Sequence, residues 1–310
     1  MGDILVSVVI ITYNSSFTIC ETLDSVFSQS YKRLELIVSD DGSKDETVNI
    51  AKQWIKDHSS RFERSEVLTT PYNTGVPANC NRGIRAAQGD WIKLIAGDDL
   101  LANDCVGTCI NYVNKHQECN LLFSEMSMFK VVNGNKIFFK MDSVFDDITY
   151  LDDFNKGDAH HQFFLLLRDG CFLAAPTVFF KSSFVKSNPY PEEYKYEEDY
   201  PMWLHLTHKG YKVDQISDVT VYYRISSSLS HRDSDYYSRN YMRTRSLFFW
   251  NECIDFFKEE NLIDAYNRYR KLLLIYELTE AFTQNKKNIW NSFKRRILFF
   301  FVCRMCKYEL

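Results

Sequence analysis

The sequence predicts an α/β protein: a doubly wound, mainly parallel sheet with helices on both faces, followed by a C-terminal helical segment. Three observations predict it. Short apolar or β-branched runs recur between residues 5 and 100, as buried parallel strands do. Stretches with helical spacing separate them, which makes strand–helix–strand crossovers. After that the pattern becomes irregular, and from Ser238 onwards it is helical in at least two segments.

Leu5 to Thr12 (LVSVVIIT) is a β-branched run and ends at Tyr13-Asn14-Ser15-Ser16. Ser15 or Ser16 is placed to cap a helix carrying Ile19, Leu23, Val26 and Phe27 on one stripe. Leu34 to Ser39 is the second strand; Asp40-Asp41-Gly42-Ser43 follows it, then a helix from about Asp45 to His58. Val67 to Thr69 is a short third strand, Asn73 to Asn79 a loop with Gly75 and Pro77, and Asn79 to Gln88 a helix. Trp91 to Ala96 is a strand covered on both faces, which Gly97 ends so that Asp98 and Asp99 emerge at its carboxyl end.

In the second part, Asp104 to His116 reads as a helix. Asn120 to Phe129 and Val131 to Lys140 read as strands, with Asn133-Gly134 as a turn. Asp142 to Asp158 is an acidic surface segment or a short helix, and His161 to Asp169 is helical. Ala175 to Phe180 reads as a strand. Glu197-Glu198-Asp199 opens a helix over Tyr200 to Lys209, where acids suit the helix dipole. Val213 to Ile216 and Val219 to Tyr223 read as two short strands, and Ser226 to Ser230 as a polar loop.

Composition narrows the function. With 310 residues, 45% of them hydrophobic, the chain can bury a sizeable core. A net charge of -4 argues against a dedicated nucleic-acid binder. Nine cysteines are scattered; Cys303 and Cys306 form the one Cys-x-x-Cys pair, so no zinc site is completed. The odd count and the absence of an export signal predict reduced thiols in a cytoplasmic chain. No apolar run approaches the ~20 residues of a membrane-spanning helix.

Open α/β sheets bind ligands at the carboxyl ends of their strands. Asp98 and Asp99 at that edge can share a hard divalent cation with a substrate's phosphates. Asp40 and Asp41 end a strand at the same edge. Four acids there repel one another unless a cation or hydrogen-bond donors compensate. Taken alone, Asp40-Asp41-Gly42-Ser43 is an ordinary turn and helix cap. No glycine-rich dinucleotide fingerprint or P-loop follows any strand.

Three segments, in order and spacing, resemble family 2 glycosyltransferases of the GT-A fold. They are Ser7-Val8-Val9-Ile10-Ile11-Thr12-Tyr13-Asn14, Glu35-Leu36-Ile37-Val38-Ser39-Asp40-Asp41-Gly42-Ser43-Lys44-Asp45, and Gly89 to Asp99. The resemblance returns at Glu198-Asp199-Tyr200-Pro201-Met202-Trp203-Leu204 and at Tyr222-Tyr223-Arg224 with Ser228 to Ser230. It implies a transferase domain over residues 1–230, with 1–100 as a nucleotide-binding half and 101–230 as an acceptor half; residues 231–310 are then a helical extension. It also implies roles. Thr12, Tyr13 and Asn14 line the nucleotide pocket. Asp41 hydrogen-bonds uracil, and Asp40 shapes the turn. Asp98 meets the metal–diphosphate, with Asp99 beside it as a second ligand or orienting group. Asp199 is the general base, with Glu198 the lesser candidate.

The implied reaction is an inverting transfer from a nucleotide sugar, most simply UDP-linked, to a glycan or lipid-linked acceptor in bacterial surface polysaccharide synthesis, dependent on Mn²⁺ or Mg²⁺. Two departures stand out: the family usually has Asp where this chain has Ala96, and often a basic residue where it has Cys80. They keep open a catalytically weakened nucleotide- or glycan-binding relic. A nucleotidyltransferase is the other alternative; it predicts a basic, glycine-rich loop near the first strand, which Ile10 to Phe17 lacks.

Other residues have an ordinary and a functional reading. His160-His161 are either surface histidines or acceptor contacts. Arg224 is either a structural salt bridge or a diphosphate partner. Residues 288–307 are basic and aromatic, which suits either peripheral contact with an anionic membrane or a terminal helix packed on the domain.

Overall fold

A computed structural model of the chain describes residues 4–140, 147–225, 239–284, 286, 290–292 and 294–295. The N-terminal part alternates strand and helix: β1 (Val6–Thr12), α1 (Ile19–Phe27), β2 (Leu34–Asp40), α2 (Thr47–His58), β3 (Arg64–Thr69), α3 (Val76–Ala86) and β4 (Trp91–Ala96). Then come β5 (Leu100–Leu101), α4 (Cys105–Lys115), β6 (Leu121–Val132), β7 (Asn135–Phe139), α5 (Ile148–Lys156), α6 (Ala159–Asp169), β8 (Phe179–Lys181), α7 (Ser182–Ser187), α8 (Asp199–His208) and β9 (Asp214–Arg224). The strands form one sheet in the order β3-β2-β1-β4-β8-β6-β9-β5, with β7 paired to β6. The first four strands are mutually parallel, so their carboxyl ends share an edge. Beyond β4 the sheet is mixed: β8 runs antiparallel to both β4 and β6, whereas β6 and β9 are parallel.

Strand alternation decides which helix covers which face. Val6, Val8, Ile10, Leu36, Val38 and Ile95 point to one side, where α1, α2 and α4 bring Leu23, Val26, Trp54, Val106 and Ile110. Val9 and Ser39 point to the other, under α3. There Gly83 is the contact: a Cβ on it would lie 2.4 Å from Val9 Cγ1. A second aromatic cluster joins Phe123, Phe180 and Tyr190 to Trp203 of α8, with ring centroids 4.8, 6.2 and 6.1 Å from that indole.

Several elements differ from the sequence reading. Helix α3 starts at Val76 rather than Asn79, because Pro77 fits a helix's first turn, where its missing N–H costs nothing. Thr18, not Ser15 or Ser16, precedes α1. Ser15 instead makes a turn whose carbonyl accepts the N–H groups of Thr18 and Ile19. Residues 175–177 are a 3₁₀ turn, with Pro176 inside it, before the short β8. The two strands expected over 213–223 are one strand, β9, whose register on β6 shifts around Glu125. Lys93 is wholly buried on β4; its Nζ donates to Pro176 O at 2.7 Å.

The chain divides into two compact units, one formed by Met1–Leu166 with Cys171–Ile225, the other by Leu167–Gly170 with Ser226–Leu310. The second holds α9 (Arg239–Phe248), a π-helical turn at Phe249–Cys253, α10 (Ile254–Glu259) and α11 (Ile263–Thr283). In it, Phe249 stacks on Tyr269 at 4.8 Å, and Arg239 pairs with Glu280 at 3.0 Å. Of residues 288–307, only 290–292, 294 and 295 are described, so the tail reading lies largely outside the described residues, as does the loop expected at 226–230. No described helix is long and apolar enough to cross a membrane.

Candidate active site

The site begins where β1, β2 and β4 end together. Thr12 pairs in register with Asp40, and Ile11 with Ala96, so the turns after these strands are neighbours. Gly97 lets the chain pass close to Thr12: a Cβ there would lie 3.1 Å from both the Cβ and Oγ1 of Thr12. Asn14 adopts a left-handed φ of 54°. Its N–H donates to Ser43 Oγ at 2.7 Å, and its Oδ1 accepts from Lys44 N at 2.8 Å. The turns after β1 and β2 are thereby tied together. Tyr13 is 39% exposed beside them.

Asp40 is buried. Its Oδ1 accepts from Gly42 N at 3.0 Å, Ser43 N at 2.9 Å and Thr69 Oγ1 at 3.0 Å. It builds the turn. Asp41 is buried too, and its carboxylate is filled by protein donors. Thr74 N lies 3.0 Å from Oδ1, Gly75 N 2.8 Å from Oδ2 and Arg82 Nη2 3.2 Å from Oδ1; Thr74 Oγ1 donates as well. Arg82 also reaches Thr74 Oγ1 at 2.7 Å, Asn79 Oδ1 at 2.7 Å and the Asp40 carbonyl at 3.1 Å. Asp41 therefore clamps the loop at residues 73–75 to the sheet edge.

The opposite side of that loop meets the segment leading into α8. Val76 N donates to Lys195 O at 3.2 Å, and Lys195 Nζ to Asn73 O at 3.2 Å. Asn81 on α3 exchanges hydrogen bonds with the Tyr190 backbone, at 2.9 Å each way. These bonds bring Glu198 beside α3. Cys80 is wholly buried, and burial pushes its thiol well up, reinforced by the charges of Glu198 and Asp41 nearby. Glu198 precedes the first turn of α8, and Asp199 is its first residue. Burial, the neighbouring Asp199 carboxylate and Glu197 together raise Glu198 to about 8. Burial likewise raises the Tyr190 phenol, with Cys80, Glu198 and Asp199 adding to it. Helix α3 and its preceding loop thus gather Asp41, Cys80, Tyr190, Glu198 and Asp199.

Asp98 and Asp99 follow Gly97 in the turn after the adjacent strand, β4. Burial raises Asp98, opposed by the Arg224 guanidinium. Burial raises Asp99 well above the usual carboxylate range, and the charge of Asp98 adds to it. Arg224 organises the pair: its N–H donates to Asp99 Oδ1 at 2.8 Å and its Nε to the Asp98 carbonyl at 2.7 Å. The same guanidinium lies 4.5 Å over Phe129 and 3.2 Å from Glu21. Arg224 thus makes the structural contacts of one of its two readings. His161 pairs with Asp153 at 3.0 Å on the exposed side of α5 and α6, a local surface contact.

The donor set suits a hard cation. Asp98 and Asp99 are adjacent carboxylates that burial penalises when both are charged, which a bound cation relieves. Among the described residues no group of three or more His, Cys, Asp or Glu is placed to hold a metal by itself. Asp98 and Asp99 could supply part of such an ion's ligand set.

Arg82, Asn79, Asn81, Lys195 and Thr74 carry much of this geometry, and sequence reasoning passed over them. Asn79 and Arg82 sit three apart on a helix, a spacing that puts them on one face. Nothing in the sequence marks Lys195.

Known proteins share this architecture. A fragment, 1–349, of S. aureus TarS in complex with UDP-GlcNAc superposes with a TM-score of 0.57 at 16% identity, over 87% of this chain and 80% of that one. The mannosyltransferase PcManGT from Pyrobaculum calidifontis, solved with GDP-Man and Mn²⁺, gives 0.54 at 15% identity, over 100% of this chain and 71% of that one. In sequence, the Escherichia coli UDP-Glc:alpha-D-GlcNAc-diphosphoundecaprenol beta-1,3-glucosyltransferase WfaP is 28% identical over 221 residues, 71% of this chain and 77% of that protein. An uncharacterized glycosyltransferase of Rickettsia felis is 27% identical over 210 residues, 68% of this chain; the match spans 31% of that longer protein. The glycosyl transferase family 2 profile matches residues 7–171, more than half of the chain. With a GT-A-like sheet, acid-bearing turns along one edge and a family profile covering that edge, the chain belongs to glycosyltransferase family 2.

Proposed function

We propose that the chain is an inverting, metal-dependent transferase. It moves a sugar from a nucleotide donor, most simply UDP-linked, to a lipid-linked saccharide. The observation that carries this reading is the separation of roles within the Glu198–Asp199 pair. Glu198, raised to about 8, keeps its proton at neutral pH. Asp199 opens α8, where the helix dipole favours a carboxylate. A protonated acid beside an aspartate at a helix N-terminus is an acid/base arrangement. Asp199 is the base that takes the acceptor hydroxyl's proton, and Glu198 is its protonated neighbour.

Thr12, Tyr13 and Asn14 line the nucleotide side, and Asp40 shapes that wall. Asp41 is assigned to the uracil, and its carboxylate also clamps the loop at residues 73–75 that borders it. Asp98 would hold the divalent cation, Mn²⁺ or Mg²⁺, and Asp99, tied to Arg224, would orient it. A cation there offsets negative charge on the departing diphosphate. The lipid-linked acceptor is proposed by likeness to WfaP, named as acting on a GlcNAc-diphosphoundecaprenol. A role at the cytoplasmic face of a membrane, in surface polysaccharide synthesis, is part of the same proposal.

Titration calorimetry with UDP, with and without Mn²⁺, tests the nucleotide half. Tight binding only with the cation is expected; binding indifferent to Mn²⁺ overturns the metal role, and no binding points to a relic. Nucleotide release from UDP-glucose, UDP-GlcNAc and GDP-mannose, with a GlcNAc-diphosphoryl lipid as acceptor, tests the transfer.

A further inference from the structure

The carboxylate of Asp199 has a neighbour that the reaction scheme leaves unused. Cys171 lies in the stretch between α6 and β8, half-buried, with its Sγ 3.6 Å from Asp199 Oδ2. The other oxygen, Oδ1, accepts from Tyr200 N at 2.7 Å. The thiol has a second acceptor, Leu173 O, at 3.8 Å. A thiol carries one proton and donates it once. The carboxylate oxygen is nearer and charged, and hydrogen bonds to charged acceptors are the stronger ones.

We propose that Cys171 is a positioning residue for the transfer: its S–H holds Asp199 Oδ2 while the Tyr200 N–H holds Oδ1, and both contribute to the carboxylate's rotation. The terminal torsion of an aspartate is broad and soft, so its direction is set by contacts rather than by rotamer preference. A base must point at the proton it removes. A thiol is also a weak donor. It orients the carboxylate while taking away little of its affinity for a proton, whereas a cation in its place would quench the base. The inference rests on Asp199 being the base.

The test compares Cys171→Ala with Cys171→Ser in the full chain, using the three nucleotide sugars and the lipid acceptor named above. Loss of orientation predicts a kcat about 10-fold lower in the alanine variant, with the donor KM and UDP affinity unchanged. Serine keeps a donor at the same place, so its kcat stays within about 3-fold of the parent. Equal kcat in all three proteins overturns the proposal. So does an equal loss in both variants accompanied by a lower Tm, which marks a packing role.

A second measurement is independent of turnover. Iodoacetamide labelling of Cys171, followed by peptide mass spectrometry, is compared in the parent and in Asp199→Asn. A neighbouring carboxylate disfavours the reactive thiolate, so labelling about 10-fold faster in the asparagine variant is expected. Equal labelling rates mean the contact does not exist and overturn the proposal. If Asp199→Asn still turns over, the base assignment fails and takes this inference with it. If Asp199→Asn is inactive while Cys171→Ala is fully active, this inference alone fails. Absence of nucleotide release by the parent chain counts against the transferase reading itself.

Discussion

The acids on the β2 side of the sheet edge and those beside β4 and α8 live under opposite conditions. Asp40 and Asp41 are buried but surrounded by donors: backbone N–H groups of residues 42, 43, 74 and 75, hydroxyls of Thr69 and Thr74, and Arg82. Asp98, Asp99 and Glu198 are held where burial drives protons onto them. The first pair spends its charge on the protein. The second group keeps an electrostatic demand that a cation or a proton can meet. Residues of one chemical type are thus divided between structure and chemistry by how many donors their surroundings supply.

Substitutions break or sharpen that division. The largest effect is expected at Asp199. Asp199→Asn should lower kcat by about 10³-fold, within the usual range for loss of a general base, while UDP binding by calorimetry stays unchanged. A variant that turns over normally would return Asp199 to the structural class. Next is Asp98→Asn, which should weaken Mn²⁺-dependent UDP binding by about 100-fold with little change in Tm. Chelation of the cation with EDTA should reproduce that loss in the unaltered chain, and nucleotide affinity insensitive to both would remove Asp98 from the cation's ligands.

Asp41→Asn should behave in the reverse sense. It replaces an acceptor-only group by one with two N–H groups facing existing donors, and leaves Arg82 without its anion. A loss of about 2–3 kcal/mol in unfolding free energy is expected by denaturant titration, larger than that of Asp98→Asn. If Asp98→Asn proved the more destabilising, the contrast between the two regions would collapse.

The last test is a pH dependence. Glu198 is raised from 4.5 to about 8 in the folded chain. Between those values the folded protein holds a proton that the unfolded chain has released. Its stabilising contribution is complete below pH 4.5 and is lost as pH rises through about 8. Tm should therefore fall across this interval, and Glu198→Gln should flatten the fall. An identical slope in both proteins would show that Glu198 ionises normally.

Much of the N-terminal parallel sheet was legible in the sequence. Val6–Thr12, Leu34–Asp40 and Trp91–Ala96 are runs that only a covered parallel sheet accommodates, and their ends had to coincide at one edge. That placed Asp40, Asp41, Asp98 and Asp99 together before any coordinates. The sheet beyond β4 was less so. Residues 175–177 resemble a strand in composition, yet Pro176 and the buried Lys93 ammonium, which takes the Pro176 carbonyl, favour a 3₁₀ turn. Strand β9 was divided in two because its register shift interrupts the alternation.

Local sequence, then, determined the alternation of elements, the parallel core and the acids that terminate its strands. It did so because hydrophobic periodicity and turn chemistry act over a few residues. Tertiary structure alone decided the surroundings of each acid. Asp41 became a clamp because residues 74, 75 and 82 reach it, and Glu198 became a held proton because burial beside Asp199 and Glu197 penalises its charge. Those partners come from distant or oppositely directed segments, and the free energy of a buried charge depends on every neighbour in three dimensions rather than on its place in the chain.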